Sequence, residues 1–319
     1  MSPNGVLQVN RVSTKFLILF VIAAVGVIIA KLIVNHLYIP LLAALIALIC
    51  LFIGLYNWHW SIYALLIYLP FSGIPIVLMY PNTGPPNLFK DFLFIIPAYL
   101  GFLLSRLLKQ KPILFLEAPV ILFVSLALLV FVQILNPDLP NILVGLIGLK
   151  VWLMYIPLYF LTYHLIDSKK KLLQVLKLMI WVGIIPIIIG ILEAALIYTG
   201  HSNIVYSWYG PAAPAVTQRF AGTIYSSGAR LVRIPSTFSF ATQYFNFTSF
   251  MVAIGYIFWR IKSKQKVLDR VIATITMGLI LIANFLNGSR GSFIAIPLLL
   301  SLILLLDWNK RMFRHFIGA

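Results

Sequence analysis

LLQVLKLMIWVGIIPIIIGILEAALIY, residues 172–198, decides the fold of this chain. It is longer than the roughly 20 residues that cross a bilayer as helix. Three consecutive lysines, Lys169, Lys170 and Lys171, precede it, and a polar stretch follows it. Its polar interruptions are few, chiefly Lys177 and Glu193. A basic flank on an apolar run of this length is the signature of a membrane span.

The rest of the chain repeats that pattern. Hydrophobic residues make up 62% of the 319 residues and charged residues only 10%, against about a quarter in ordinary soluble domains. Mean hydropathy is +1.02. Windows of about 20 residues predict about ten spans, near 16–34, 37–56, 58–72, 88–107, 113–135, 142–164, 172–198, 238–259, 267–286 and 290–306. The expected architecture is therefore an all-α, polytopic transmembrane bundle. It forms one integral membrane domain over 1–319 with no separate soluble domain. Pro70, Gly73, Pro75 and Pro81 break the third run, which is expected to be short, kinked or re-entrant. Arg11 and Lys15 before Phe16–Ala30 imitate a signal peptide. No small-residue cleavage site follows, so this stretch reads as the first span.

The formal charge of +17 does not point to nucleic acid, because the basic residues track the gaps between spans. With the N-terminus cytoplasmic, one side of the membrane receives Arg11 and Lys15, then Arg106 to Lys111, Lys169 to Lys177, Arg260 to Arg270, and Lys310 to Arg314. The even span count places the C-terminus on that side as well. Two external segments result: 71–87, with its turn-forming Pro81–Pro86, and a long loop near 199–237. Loops of that length in compact proteins are usually functional. The loop carries His201, Trp208, Tyr209, Arg219, Tyr225, Arg230 and Arg233. The lone Cys50 precludes an intramolecular disulfide.

Candidate chemistry collects on the external side. In Gly288-Ser289-Arg290-Gly291, small residues allow close approach of backbone to ligand. Ser289 and Ser292 add hydroxyls, and arginine presents a permanently charged fork suited to phosphate oxygens. The competing reading of Arg290 is a helix-end side chain snorkelling to headgroups. Arg233 precedes Ile234-Pro235-Ser236-Thr237-Phe238, where Ser236 or Thr237 is expected to cap the next helix and a helix N-terminus favours anions. Arg219 and Arg230 lie in the same loop, either as ligand contacts or as solvated charges. Lys150 falls about 12 Å into the sixth span and needs a partner, for which Glu193 is the expected candidate. Lys90 and Asp91 open the fourth span but, as neighbours on a helix, need not pair. The five histidines show no metal spacing, and no HExxH, CxxC, phosphate-binding loop or dinucleotide fingerprint occurs.

Arg233 followed by Ser236-Thr237-Phe238 at a span entrance, then Ser289-Arg290-Gly291 two spans later, resembles the O-antigen ligase/polymerase-type membrane proteins of bacteria. Lys90-Asp91 running into Phe94–Tyr99, and Gly148-Leu149-Lys150 running into Tyr155–Leu158, resemble bacterial, especially cyanobacterial, members. The resemblance implies glycan transfer from an undecaprenyl-pyrophosphate donor to a glycan or lipid-A-type acceptor, in polysaccharide biosynthesis at the external (periplasmic) face of the inner membrane. It implies membrane lipids and lipid-linked oligosaccharide as partners, and neither nucleic acid, cofactor nor metal. It assigns Arg233 and Arg290 as the catalytic pyrophosphate arginines; the reading of the residues adds Ser289, Lys150, Arg230, Arg219 and Glu193 as candidate substrate contacts. The chain departs from the pattern in two ways. Ser236 stands where the family often has glycine, and Ala241-Thr242 where it has Pro-Asn. The sequence also stops at Ala319, before the family's histidine-bearing external loop. The expectation is a chain incomplete at its C-terminus or one without that base. Transport of a small anion or sugar-related solute, and a non-catalytic place in a polysaccharide assembly complex, are the alternatives.

Overall fold

A computed structural model describes residues 38–110, 112, 118–218, 223–224, 230–263 and 265–308. The regular structure of the described residues is helical apart from one short antiparallel pairing, β1 (Thr223–Ile224) with β2 (Arg230–Leu231). Among the described residues, four helical stretches are long and apolar enough to cross a membrane: Gly84–Leu108, Ile142–Leu165, Lys169–Tyr198 and Val267–Leu286. They mark the chain as a membrane protein. The side chains agree, since leucines such as Leu122, Leu129 and Leu298 are about 70% exposed. Apolar surface on that scale calls for lipid rather than water.

Every expected span from residue 37 onward contains a helix, and the first, 16–34, lies outside the described residues. Helices α1 (Tyr38–Tyr56) and α2 (Trp58–Tyr68) are separated by Asn57, whose side chain accepts from the His59 N–H at 3.1 Å and so starts α2. The third run is broken as its prolines predict. It ends in a 3₁₀ turn (Leu69–Phe71) and a six-residue helix α3 (Gly73–Leu78). Helix α4 (Gly84–Lys90) continues through a wide π turn (Asp91–Ile95) into α5 (Ile96–Leu108). Pro97 lacks the N–H that a regular helix needs, and widening the preceding turn absorbs that defect. Helices α1 and α5 cross at backbone distance, because a Cβ on Gly101 would lie 1.9 Å from the Gly54 carbonyl oxygen. Small residues permit such crossings where lipid offers no hydrophobic drive between helices.

Helix α6 (Ala118–Ile134) pairs with α7 (Ile142–Leu153), which Asn141 caps through the Val144 N–H at 3.0 Å. Pro157 opens α8 (Pro157–Leu165) after a three-residue break. The decisive stretch forms α9 (Lys169–Tyr198), with Ser168 as its cap. The long loop folds into α10 (Ser202–Tyr209) and two short turns, held by Val205, Tyr209, Ala212 and Val216. Helices α11 (Ala241–Lys262), α12 (Val267–Leu286) and α13 (Arg290–Trp308) complete the described chain. The main core joins α9, α11, α12 and α13 through Ile187, Tyr244, Met251, Ile280 and Ile296. A second core, around Trp58, Phe102 and Leu161, joins α2, α5 and α8.

Candidate functional site

Three interruptions of the long helices meet against α9. They are the turn at 69–73, the crossing segment 232–240 and the turn 287–289 between α12 and α13. Non-helical backbone among membrane helices persists only where protein or a wet cavity satisfies it, and here the segments satisfy one another. The Ile234 N–H donates to the Asn287 carbonyl at 3.0 Å. Thr237 donates its hydroxyl to the Pro70 carbonyl. A Cβ on Gly73 would lie 2.3 Å from the Phe238 carbonyl carbon, so these two strands of backbone touch.

The same packing joins the two arginine segments. Gly288 has φ +74, and a Cβ there would lie 2.4 Å from the Val232 carbonyl oxygen and 3.1 Å from the Arg233 Cα. Only glycine fits a left-handed turn pressed against another backbone. Asn287 shapes that turn by accepting from the Ser289 N–H at 2.7 Å. Behind it, Asn284 donates to Thr248 at 2.9 Å and to Ser249 at 3.1 Å, and Ser292 donates to the Asn284 carbonyl at 2.8 Å. Ser289 accepts from the Gly291 N–H at 3.3 Å and so acts as the cap of α13. Arg290, the first residue of α13, is exposed. Arg233 is half-buried, and its Nε is buried without a hydrogen-bond partner.

Glu193 is 1% exposed and ties α9 to the crossing segment. It accepts from the Ser236 N–H at 2.9 Å and from the Tyr209 hydroxyl, which also reaches the Ser236 carbonyl at 2.9 Å. Ser236 has φ +54 and donates its hydroxyl to the Pro186 carbonyl at 2.6 Å. The position where the resembling family often has glycine is thus left-handed, and three polar contacts hold serine in it. Burial, then the Glu193 charge, push the Tyr209 hydroxyl well above its ordinary range, so it stays a donor.

The structure corrects two sequence expectations here. Lys150 does not pair with Glu193. Its Nζ lies 2.7 Å from Asp91 Oδ2, and Tyr155 donates to the other Asp91 oxygen at 3.2 Å. The π turn carries Asp91 to the α7–α8 break, while Glu193 is occupied by Tyr209 and Ser236. Lys90 instead lies over the Tyr155 ring at 5.5 Å. Nor do Ser236 and Thr237 cap a helix. Helix α11 starts only at Ala241, and their hydroxyls donate to carbonyls of α9 and the 69–71 turn. Arg233, Ser289, Arg290 and Glu193 therefore share one connected site, whereas Lys150 belongs to a second cluster with Asp91 and Tyr155. The segments around 90–99 and 148–158, both part of the sequence resemblance, are the two that build this second cluster, and Tyr99 donates to the Met154 carbonyl across them. Arg219 lies outside the described residues, and of Arg230 only the backbone, in β2, is described.

Sequence reasoning missed Tyr209 as the Glu193 partner and the Asn284–Asn287–Thr248 network. The asparagine pair was detectable, since two asparagines three apart at the end of a helix lie on one side of it, after an apolar run. No group of three His, Cys, Asp or Glu side chains suited to a metal occurs among the described residues. Comparison with protein families, with curated proteins and with solved structures finds no match to this chain.

Proposed function

We propose that this chain is a multi-span membrane protein, with about ten spans and both termini cytoplasmic, that transfers a glycan from a lipid-linked pyrophosphate donor. The reaction belongs on the external face of a bacterial plasma membrane, as in O-antigen ligation or polysaccharide polymerisation. The observation that carries this reading is Arg233, held by backbone contact against the Arg290 turn with its Nε buried and unpartnered. A buried donor without a partner is costly, and an anionic ligand removes that cost. Pyrophosphate leaves with growing negative charge, which fixed arginines stabilise more in the transition state than in the ground state.

Arg233→Ala and Arg290→Ala, correctly inserted, are each expected to lower surface glycan output about 10²- to 10³-fold. Arg233→Lys is expected to rescue poorly, because an ammonium lacks the planar fork. Parental surface polysaccharide in an inserted Arg290→Ala variant refutes the site. A second reading, transport of a small anion, draws on the interrupted backbone around the site, a common feature of carriers. Uptake of labelled bicarbonate into vesicles, lost in Arg290→Ala, selects that reading instead.

A further inference from the structure

Two carboxylates are buried among the described residues, and their surroundings differ. Asp91 is neutralised by Lys150. Among the described residues Glu193 receives only neutral donors, the Tyr209 hydroxyl and the Ser236 N–H. A buried carboxylate without a cation is expensive among membrane helices and marks function. Glu193 also lines a cavity of about 160 Å³, with Gly73, Trp208, Tyr209, Ser236 and Thr237 among its walls. Trp208 is 50% exposed and gives this cavity an aromatic wall that reaches the surface. A flat apolar ring beside a carboxylate and hydroxyls suits a sugar, which has both C–H faces and a rim of hydroxyls.

The cavity lies next to the arginine site through a short covalent path. Arg233 is three residues before Ser236, so their Cα atoms are at most about 10 Å apart. Glycoside hydrolases that invert hold their two carboxyl groups about 6.5–9.5 Å apart, leaving room for a nucleophile and an anomeric carbon between them. Glu193 holds the Ser236 N–H at 2.9 Å, so the base and the leaving-group site stand on one short segment, on either side of the room that a nucleophile and an anomeric carbon need.

We propose that this cavity seats the acceptor sugar and that Glu193 is the general base of the transfer. The inference rests on the pyrophosphate-donor reading given above. The acceptor oxygen forms a bond to the donor's anomeric carbon while its proton passes to the Glu193 carboxylate. The bond from that carbon to the pyrophosphate oxygen breaks, and its electron pair stays with the pyrophosphate at Arg233. The proton then leaves to water, which restores the carboxylate.

The test uses the full chain in nanodiscs. Membrane extract from host cells lacking the chromosomal copy supplies donor and acceptor, and released undecaprenyl pyrophosphate is followed by mass spectrometry. Binding of undecaprenyl pyrophosphate itself is measured separately. Glu193→Gln keeps the side-chain shape and an oxygen for the Ser236 N–H, so a purely structural role survives it. The expected result is turnover at least about 10²-fold lower with binding within about twofold of the parent. Turnover is expected to fall toward acid pH in the parent and to be flat in Glu193→Gln. The titratable groups facing Glu193 are the phenols Tyr209 of α10 and Tyr244 of α11, which do not titrate on the acid side. Trp208→Ala, at a half-exposed position that folding tolerates, is expected to raise the extract concentration giving half-maximal rate. Parental turnover in Glu193→Gln, an acid limb that persists in it, or an unchanged Trp208→Ala overturns the inference and leaves the donor reading standing. A parent that does not bind undecaprenyl pyrophosphate overturns the donor reading, and the base assignment with it.

Discussion

Gly288→Ala tests the contact on which the site depends. Two independent costs act at this position. An alanine at φ +74 carries the left-handed penalty of about 1–2 kcal/mol. Its Cβ would also lie 2.4 Å from the Val232 carbonyl oxygen, a backbone atom that cannot rotate away. Overpacking of that kind adds about 1–3 kcal/mol. The sum, on the order of 2–5 kcal/mol, shifts the unfolding equilibrium about 30- to 4,000-fold. Two other glycines separate the terms. Gly200 has φ +86 with open space around its Cβ, so Gly200→Ala isolates the conformational cost of about 1–2 kcal/mol. Gly278 lies inside α12 with open space, where alanine is expected to stabilise by about 0.5–1 kcal/mol. SDS titration of each protein in dodecyl-maltoside micelles, read by tryptophan fluorescence, ranks the three. Binding of undecaprenyl pyrophosphate is expected to weaken in Gly288→Ala alone, because the push falls on Val232 and Arg233. A Gly288→Ala variant no less stable than Gly200→Ala would falsify the claim that the 232–233 backbone presses on this turn.

Two further outcomes follow from the packing and are read by the same titration. In the Asp91–Lys150 pair the aspartate side chain is 3% exposed and the lysine 39%, so the partners are not equivalent. Lys150→Met strands a buried charge and is expected to cost about 3 kcal/mol. Asp91→Asn leaves a lysine that reaches solvent and is expected to cost about 1–2 kcal/mol, and equal losses refute the asymmetry. Gly101→Ala would set a Cβ 1.9 Å from the Gly54 carbonyl oxygen, so the α1–α5 crossing must open. The expected loss is about 2–3 kcal/mol, and a neutral substitution means that the helices do not cross at that point.

How far the sequence carried the fold differed by feature. The positions of the helices were legible because apolar run length and flanking lysines are local properties. The break after Tyr68 was legible for the same reason, since Pro70, Gly73 and Pro75 each disfavour regular helix. The partners of polar groups were not. Lys150 had two buried carboxylates to choose from, and only the π turn at Asp91–Ile95 brings one of them to it. The serine and threonine after Arg233 looked like a helix cap, because that is their commonest local use. Tertiary carbonyls at Pro70 and Pro186 outcompeted it. The two arginine motifs are remote in sequence, and no periodicity reports that Gly288 touches Val232. The glycine itself was the clue, as a residue able to turn left-handed and admit another backbone.

The distribution of unsatisfied groups sharpens the argument for a ligand. At the crossing of 69–73, 232–240 and 287–289, the backbone is settled by Asn287, Glu193, Tyr209, Ser236 and Thr237. Pairing of irregular backbone is what a low-dielectric setting demands. Against that background, Arg233 Nε, Tyr244 Oη and Asn284 Oδ1 are buried without partners. They are linked through the same packing. Tyr244 presses on Gly190, one turn before Glu193, and Asn284 bonds Thr248, one turn after Tyr244. Buried side-chain groups left unpaired beside paired backbone are costly unless a ligand meets them. Arg233 is the one among them that carries charge, and it stands on the segment that Glu193 holds.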